Sequence, residues 1–344
     1  MDEFQVIEEI FAPLAPAGAP AFGLSDDAAV FQPGAGRAMV ITKDVMAAGV
    51  HFPADEDAGL VARKLLRVNL SDLAAMGAAP HGYLLGLALG SDTGSDTRIE
   101  WLRAFAAGLA QDQKTFAVAL WGGDTVSRAG PGVGAGVGGL VLSLTAIGSV
   151  PGGLDSGEAG CLRRNGAKPG DLIFVSGSIG DGALGLKCVQ GDLPANEFLM
   201  ARYRLPEPRI GLGQALGGET LPGLATSCID VSDGLLADLG HLAAASGCGA
   251  EIERRSVPLS DAARNMLIAD ADLWPAILAG GDDYELLFTA PGEKRGAVMA
   301  AGKESGTPVT VIGRMTSAGA GVLLLDEKGN PVKVDGAGFQ HHIG

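Results

Sequence analysis

The sequence predicts a two-domain α/β protein. Its 344 residues exceed what one hydrophobic core ordinarily supports. Strand-like apolar runs alternate with amphipathic stretches of helical period along the chain, the pattern of sheets layered with helices. Near residue 150 the composition shifts, and Pro151-Gly152-Gly153 with the polar run to Gly160 reads as a connection. The expected domains are therefore 1–150 and 151–344.

The elements follow in order. Residues 3–14 read as a short amphipathic helix with Phe4, Ile7, Ile10 and Phe11 on one side. After a Pro/Ala/Gly stretch, Ser25-Asp26-Asp27-Ala28-Ala29-Val30 carries acids into a strand, and Met39 to Asp44 is a second strand ending in an acid. Residues 58–77 form a helix with Leu65, Leu66, Leu70 and Leu73 roughly on one face. Asp72 lies on that apolar side, a costly place for a carboxylate without compensation. A strand over 83–89, a helix over 98–111 and a strand over 118–121 lead to Gly122-Gly123-Asp124-Thr125. In the second half a strand over 172–176 precedes a helix over 181–189. Helix 207–217 and a strand over 224–229 follow, and a helix capped by Ser260 comes after them. The strand 286–289, a helix over 293–305 and strands near 309–313 and 321–325 finish the chain.

Composition narrows the function. The net charge of −15 disfavours nucleic acid or an anionic membrane as partner. Four cysteines without a C-x-x-C pair read as buried thiols in a reducing compartment, and the acidic start Met1-Asp2-Glu3-Phe4 reads as no secretory leader, so the cytoplasm is expected. Gly130 to Gly148 carries no charge over 19 residues, but seven are glycine, so a glycine loop and a strand are expected there, not a membrane span.

The acids Asp27, Asp44, Asp72, Asp124, Asp230 and Asp233 carry the chemistry, most of them at strand ends or in the turns that follow. One such acid is ordinarily a cap or a solvated turn. In Asp230-Val231-Ser232-Asp233 an N-cap accounts for one residue, and a hard-cation site accounts for all three oxygen-bearing side chains. Both readings stand at this point. Gathered in space without cations the six carboxylates would repel strongly, and several Mg²⁺ ions resolve that economically. Carboxylate-held metals beside glycine turns suggest phosphate chemistry, with turn N–H groups free to cradle phosphate oxygens. No P-loop, Rossmann fingerprint or G-x-S-x-G elbow is visible. Of the five histidines only His51, just after Asp44, is placed for a ligand; His241 reads as structural.

Eight segments then resemble, in order, the motifs of the thiamine-monophosphate kinase family. They are Asp26-Asp27-Ala28, Thr42-Lys43-Asp44, Gly49-Val50-His51-Phe52, Val68 to Ala78, Gly122-Gly123-Asp124-Thr125, Gly166 to Asp171, Ile229 to Gly234, and Gly280 to Leu286. The resemblance implies an α/β (α+β) fold like that of aminoimidazole ribonucleotide synthetase. Its N-terminal domain would hold a mixed sheet forming a homodimer interface, ahead of a C-terminal α/β domain. It implies ATP-dependent phosphorylation of thiamine monophosphate to thiamine diphosphate with several Mg²⁺ ions. By the same resemblance Asp27, Thr42, Lys43, Asp44, Asp72, Asp124, Asp230 and Asp233 are metal ligands. Gly123, Asp124, Arg164 and Ser232 contact ATP, and His51, Asp282 and Phe339 contact the thiamine substrate. No residue is expected as general acid or base, because the acceptor phosphate, with a second pKa near ~6, is already largely dianionic at neutral pH. Metals and Arg164 supply charge neutralisation instead.

Three positions depart from the family pattern. Lys43 stands where threonine or serine is usual; a main-chain carbonyl ligand survives that change and a side-chain ligand does not. Ser25 replaces the usual glycine, and residues 129–160 are longer and richer in glycine. Two alternatives remain: another ATP-using member of the superfamily, or a non-catalytic Mg-nucleotide binder. Selenophosphate synthetase is disfavoured because no cysteine precedes Cys161.

Overall fold

The chain divides into two units, the first Met1–Leu73 with Ala79–Ser149 and the second Ala74–Ala78 with Val150–Gly344. A computed structural model describes residues 3–18, 20–25, 28–90, 95–127, 139–152, 160–217, 223–318 and 321–332. Asp27 and Phe339 lie outside the described residues.

The first unit opens with α1 (Glu3–Val6), which passes into a π turn over Ile7–Phe11 and a 3-10 turn over Ala12–Leu14. Pro13 lacks the N–H that a continuing α-helix needs, so the expected single helix over 3–14 does not persist. Residues 28–30 are irregular, not the expected strand: the Val30 N–H bonds the Pro20 carbonyl at 2.9 Å, and its side chain is 64% exposed. Then follow β1 (Arg37–Ala47), α2 (Ala58–Ala75), β2 (Ala79–Leu89), α3 (Ser95–Phe116), β3 (Ala119–Ser127) and β4 (Val141–Pro151). The sheet order is β1-β4-β2-β3, with β2 antiparallel to β4 and parallel to β3, so the sheet is mixed. The parallel β2–β3 pair needs a crossover, which α3 provides.

Over most of their length the strands alternate between a buried and a more open face. Tyr83, Leu85 and Leu87 of β2 and Leu142 and Leu144 of β4 are buried on one face. On the other face Ile41, Val45 and Leu84 are exposed by 65, 48 and 39%. That open face borders a cleft of about 870 Å³ with Ile41, Lys43, Leu84, Gly122 and Asp124 in its lining. Asp112 of α3, fully buried, accepts from Arg63 Nε at 3.1 Å and from Arg67 Nε and Nη2 at 2.6 and 3.0 Å, locking α3 to α2. A carboxylate so deeply buried is tolerable because both oxygens are paired.

The second unit is a seven-stranded mixed sheet in the order β11-β10-β7-β9-β5-β8-β6. In chain order its elements are β5 (Leu172–Ser176), α4 (Asp181–Gln190), α5 (Glu197–Arg204), α6 (Ile210–Gly217) and β6 (Ser227–Asp230). Next come α7 (Leu235–Ala245), β7 (Gly249–Glu253), α8 (Asp261–Ala269), α9 (Trp274–Ala279) and β8 (Leu286–Ala290). The unit ends with α10 (Arg295–Glu304), β9 (Val309–Thr316), β10 (Val322–Leu325) and β11 (Pro331–Val332). Period-two alternation again sorts the faces. Ile173, Val175, Ile229 and Leu287 join one core with Leu184, Leu235 and Leu239 of α4 and α7. Phe174, Leu286 and Phe288 join another with Leu212 of α6 and Val298 of α10. Ser260 caps α8 as expected, accepting from the Ala263 N–H at 3.0 Å. Among the described residues no helix is long and apolar enough to cross a membrane.

Candidate active site

In the first unit, the alternation of β1 sends Thr42 and Asp44 toward α2 and leaves Lys43 on the open face, where it lines the cleft. The Thr42 hydroxyl donates to Asp72 Oδ2 at 2.6 Å. One helical turn before Asp72, the fully buried Asn69 accepts the Asp44 N–H on Oδ1 at 3.1 Å and donates Nδ2 to the Leu65 carbonyl at 2.9 Å. β1 is an edge strand, and Asn69 gives one of its N–H groups a partner from the helix. Burial, and then the charge of Asp72, push the Asp44 carboxyl up to about 6. Two close carboxylates with a hydroxyl between strand and helix form an all-oxygen donor set that a hard cation fits, because a cation removes the repulsion that raises Asp44. Lys43 therefore offers this cluster its main chain and not its amine.

His51 sits in the turn after β1. Its Nδ1 accepts the Ala47 N–H at 3.1 Å, which places the proton of the neutral ring on Nε2. Gly123 of β3 is required by contact: a Cβ there would lie 2.0 Å from the Leu85 carbonyl oxygen. Asp124 pairs in register with Gly86 and lines the cleft with Lys43. The structure thus groups Thr42, Asp44 and Asp72, and sets Lys43 and Asp124 on the opposite face of the same sheet.

In the second unit, two motifs some 50 residues apart in sequence are zipped together. β6 pairs antiparallel with β8, Asp230 opposite Leu286. Beyond the strand ends the pairing continues: Val231 N–H to the Glu285 carbonyl at 2.8 Å, Tyr284 N–H to the Val231 carbonyl at 2.8 Å, and Asp282 N–H to the Ser232 carbonyl at 2.9 Å. Gly281 has φ +74°, and a Cβ there would lie 2.3 Å from the Ser232 carbonyl oxygen. Asp282 and Tyr284 themselves adopt φ of +63° and +52°, a left-handed backbone that L residues seldom take.

Buried polar groups anchor that backbone. Asp283 accepts the N–H groups of Gly180 and Gly182 at 2.7 and 2.9 Å, at the start of α4. Burial pushes its carboxyl up to about 8. Asp181 beside it, hydrogen-bonded by Ser178 and Ser260, is also raised by burial. Glu285, fully buried, accepts from Ser176 at 2.5 Å, from Arg202 at 2.8 Å and from Arg209 at 2.7 and 2.6 Å.

The turn Ser232-Asp233-Gly234 is held from α7. Its three N–H groups all donate to Asp238 Oδ2, at 3.0, 3.1 and 3.2 Å. The expectation that turn N–H groups cradle phosphate is therefore corrected here, since a carboxylate of the chain already takes them. Burial, followed by the charge of Asp233, raises Asp238 to about 7. Ligand atoms of Asp233, Asp238 and His241 lie within 4.8 Å of one another, so His241 stands beside the carboxylates and is not remote from them. Arg164 is exposed on a segment tied down by the Cys228 N–H to the Arg163 carbonyl at 2.8 Å. Sequence reasoning missed Asn69, Asp238 and Asp283; Asn69 and Asp283 lie within quoted motifs and Asp238 four residues past one, but none sits in a strand-end position that signals chemistry.

The AIR synthase related protein N-terminal domain model matches residues 25–150, and the corresponding C-terminal domain model matches 168–326. A thiamine-monophosphate kinase of Caulobacter vibrioides is 41% identical over 98% of this chain and 90% of its own length. The chain belongs to the AIR synthase related family, in its thiamine-monophosphate kinase branch. Two solved structures are similar over nearly all of the fold. The thiamine-monophosphate kinase of Stenotrophomonas maltophilia has a TM-score of 0.75 and 39% identity, covering 90% of this chain and 91% of that one. A structure described as AaThiL complexed with AMPPCP and TMP has a TM-score of 0.73 and 27% identity, covering 92 and 91%. They match the predicted α/β fold and its family.

Proposed function

We propose that this chain transfers the γ-phosphoryl group of ATP to thiamine monophosphate, releasing thiamine diphosphate and ADP. The observation that carries the reading is the 2.9 Å hydrogen bond joining Asp282 to Ser232. It sets Asp282, which the family resemblance gives to the thiamine substrate, one main-chain hydrogen bond from Ser232, which the same resemblance gives to the nucleotide, and transfer between the two ligands needs that proximity.

An oxygen of the dianionic acceptor phosphate attacks the γ-phosphorus, and the bond from the γ-phosphorus to the β–γ bridging oxygen breaks as ADP leaves. No side chain has to remove a proton, so the protein's part is to position two polyanions and offset their charge. Bound Mg²⁺ supplies that charge. In the first unit Thr42, Asp44, Asp72 and the main-chain carbonyl of Lys43 would hold ions on one face of the sheet, Asp124 would hold an ion on the other, and Asp27 is a further ligand; in the second unit Asp230 and Asp233 would hold theirs. Gly123, Asp124, Arg164 and Ser232 contact ATP. His51, Asp282 and Phe339 contact thiamine monophosphate, where an acid and an aromatic face suit the cationic thiazolium. A second copy of the chain covers the apolar open face of the N-terminal sheet, giving a homodimer. Four free thiols and the use of ATP support a cytoplasmic location.

The test is incubation with ATP, Mg²⁺ and thiamine monophosphate, with assay for thiamine diphosphate. Product that vanishes with a chelator supports the proposal. ATP binding without product would mark a non-catalytic binder, and ATP turnover only with another acceptor would mark a sister enzyme.

A further inference from the structure

Asp238 belongs to none of the ligand sets above, yet it is 2% exposed and its Oδ2 collects three consecutive main-chain N–H groups. Gly234, which precedes α7 with φ +124°, has no side chain to cap the helix. A Cβ at Gly234 would lie 2.8 Å from Ala279, so close packing also bars a capping side chain there. The start of α7 is therefore capped from inside the helix, by a residue four positions on. Three N–H groups converging on one point form a concavity that suits an anion. Its occupant here is part of the chain.

We infer that Asp238 is a positioning residue: its carboxylate oxygen shapes the Ser232-Asp233-Gly234 turn and fills its N–H concavity, so this turn meets the nucleotide through metal held by Asp233 and not through backbone N–H groups. The inference deepens the proposed kinase reading and rests on it. It makes geometry, and not charge or metal ligation, the contribution of Asp238. The competing role is direct ligation, because Asp233, Asp238 and His241 offer atoms within 4.8 Å of one another.

Two substitutions separate these roles. Asp238→Asn keeps an acceptor oxygen in place and removes the charge. Asp238→Glu keeps the charge and displaces the oxygen by one methylene. Both are measured in the full chain by titrating Mn²⁺ with a non-hydrolysable ATP analogue, and by steady-state kinetics. Asp238→Asn is expected to stay within about threefold of the parent in Mn²⁺-nucleotide affinity and in kcat. Asp238→Glu is expected to lose about tenfold or more in Mn²⁺-nucleotide affinity while KM for thiamine monophosphate holds. A tenfold loss in Asp238→Asn with retention in Asp238→Glu would overturn the inference in favour of ligation. Equal retention in both variants would also overturn it. The Mn²⁺ titration needs no turnover, so an inactive parent protein would count against the kinase reading while leaving this comparison decisive.

Discussion

Thr42 donates its hydroxyl to Asp72 Oδ2 over 2.6 Å, tying the edge strand β1 to the apolar side of α2. This is the compensation that a carboxylate on that helix face requires. It also fixes Asp72 next to Asp44, whose carboxyl is raised to about 6 by burial and by that neighbour. The pair is costly when empty and well suited to a divalent cation.

Removing a metal-holding carboxylate in either unit should therefore abolish chemistry before it harms folding. Asp72→Asn and Asp233→Asn are each expected to lower kcat by roughly two orders of magnitude or more, with unchanged circular dichroism. Near-normal turnover in either variant would count against the metal assignment.

Asn69 should act on both stability and metal demand. Asn69→Ala leaves the Asp44 N–H without its side-chain acceptor and should cost about 1–3 kcal/mol in urea unfolding. Because Asp44 is then less well placed, the Mg²⁺ concentration for half-maximal activity should rise about tenfold, with kcat recovering at saturating Mg²⁺. An unchanged Mg²⁺ requirement would show that Asn69 only stabilises.

Asp283 makes a pH-dependent contribution with a definite sign. Its folded-state carboxyl lies at about 8, against an ordinary 3.8. Between those values the folded protein holds a proton that the unfolded chain has released, so this group favours folding at low pH and the benefit fades as pH rises through about 4 to 8. The slope is at most ~1.4 kcal/mol per pH unit. Asp283→Asn cannot titrate, so the stability gap between the parent and this variant should narrow from about pH 5 to about pH 8. A gap constant across that range in denaturant titrations would contradict the assignment.

The open face of the first sheet predicts association. Ile41, 65% exposed, lies near the middle of β1. Ile41→Asp should convert a dimer to a monomer in sedimentation velocity while leaving the circular dichroism unchanged. A parent protein already monomeric at micromolar concentration would refute the dimer proposal.

Much of this was legible because period-two and helical patterns survive in the strands and helices themselves. Ile173, Phe174 and Val175 alternate between two cores just as their sequence suggests. The strand expected at 118–121 instead runs on to Ser127. Two glycines read as a stop, yet Gly123 is inside the strand because no side chain fits against Leu85. α5 was missed: its eight residues are too few to set a helical period, and only Leu199 and Tyr203 are buried. The pairing of Ser232 with Asp282 could not be read from spacing, since it depends on which strands become neighbours. Asp238 looked like an ordinary polar position on a helix, and only the fold brings its oxygen onto the preceding turn.

The most direct test is a crystal grown with Mn²⁺ and a non-hydrolysable ATP analogue, with the metal located by anomalous scattering. The account predicts Mn²⁺ in contact with the carboxylates of Asp44 and Asp72, Mn²⁺ in contact with the carboxylate of Asp233, and phosphate oxygens of the analogue on the bound metal. Nucleotide bound with its phosphates away from all three carboxylates, and no metal at any of them, would contradict it.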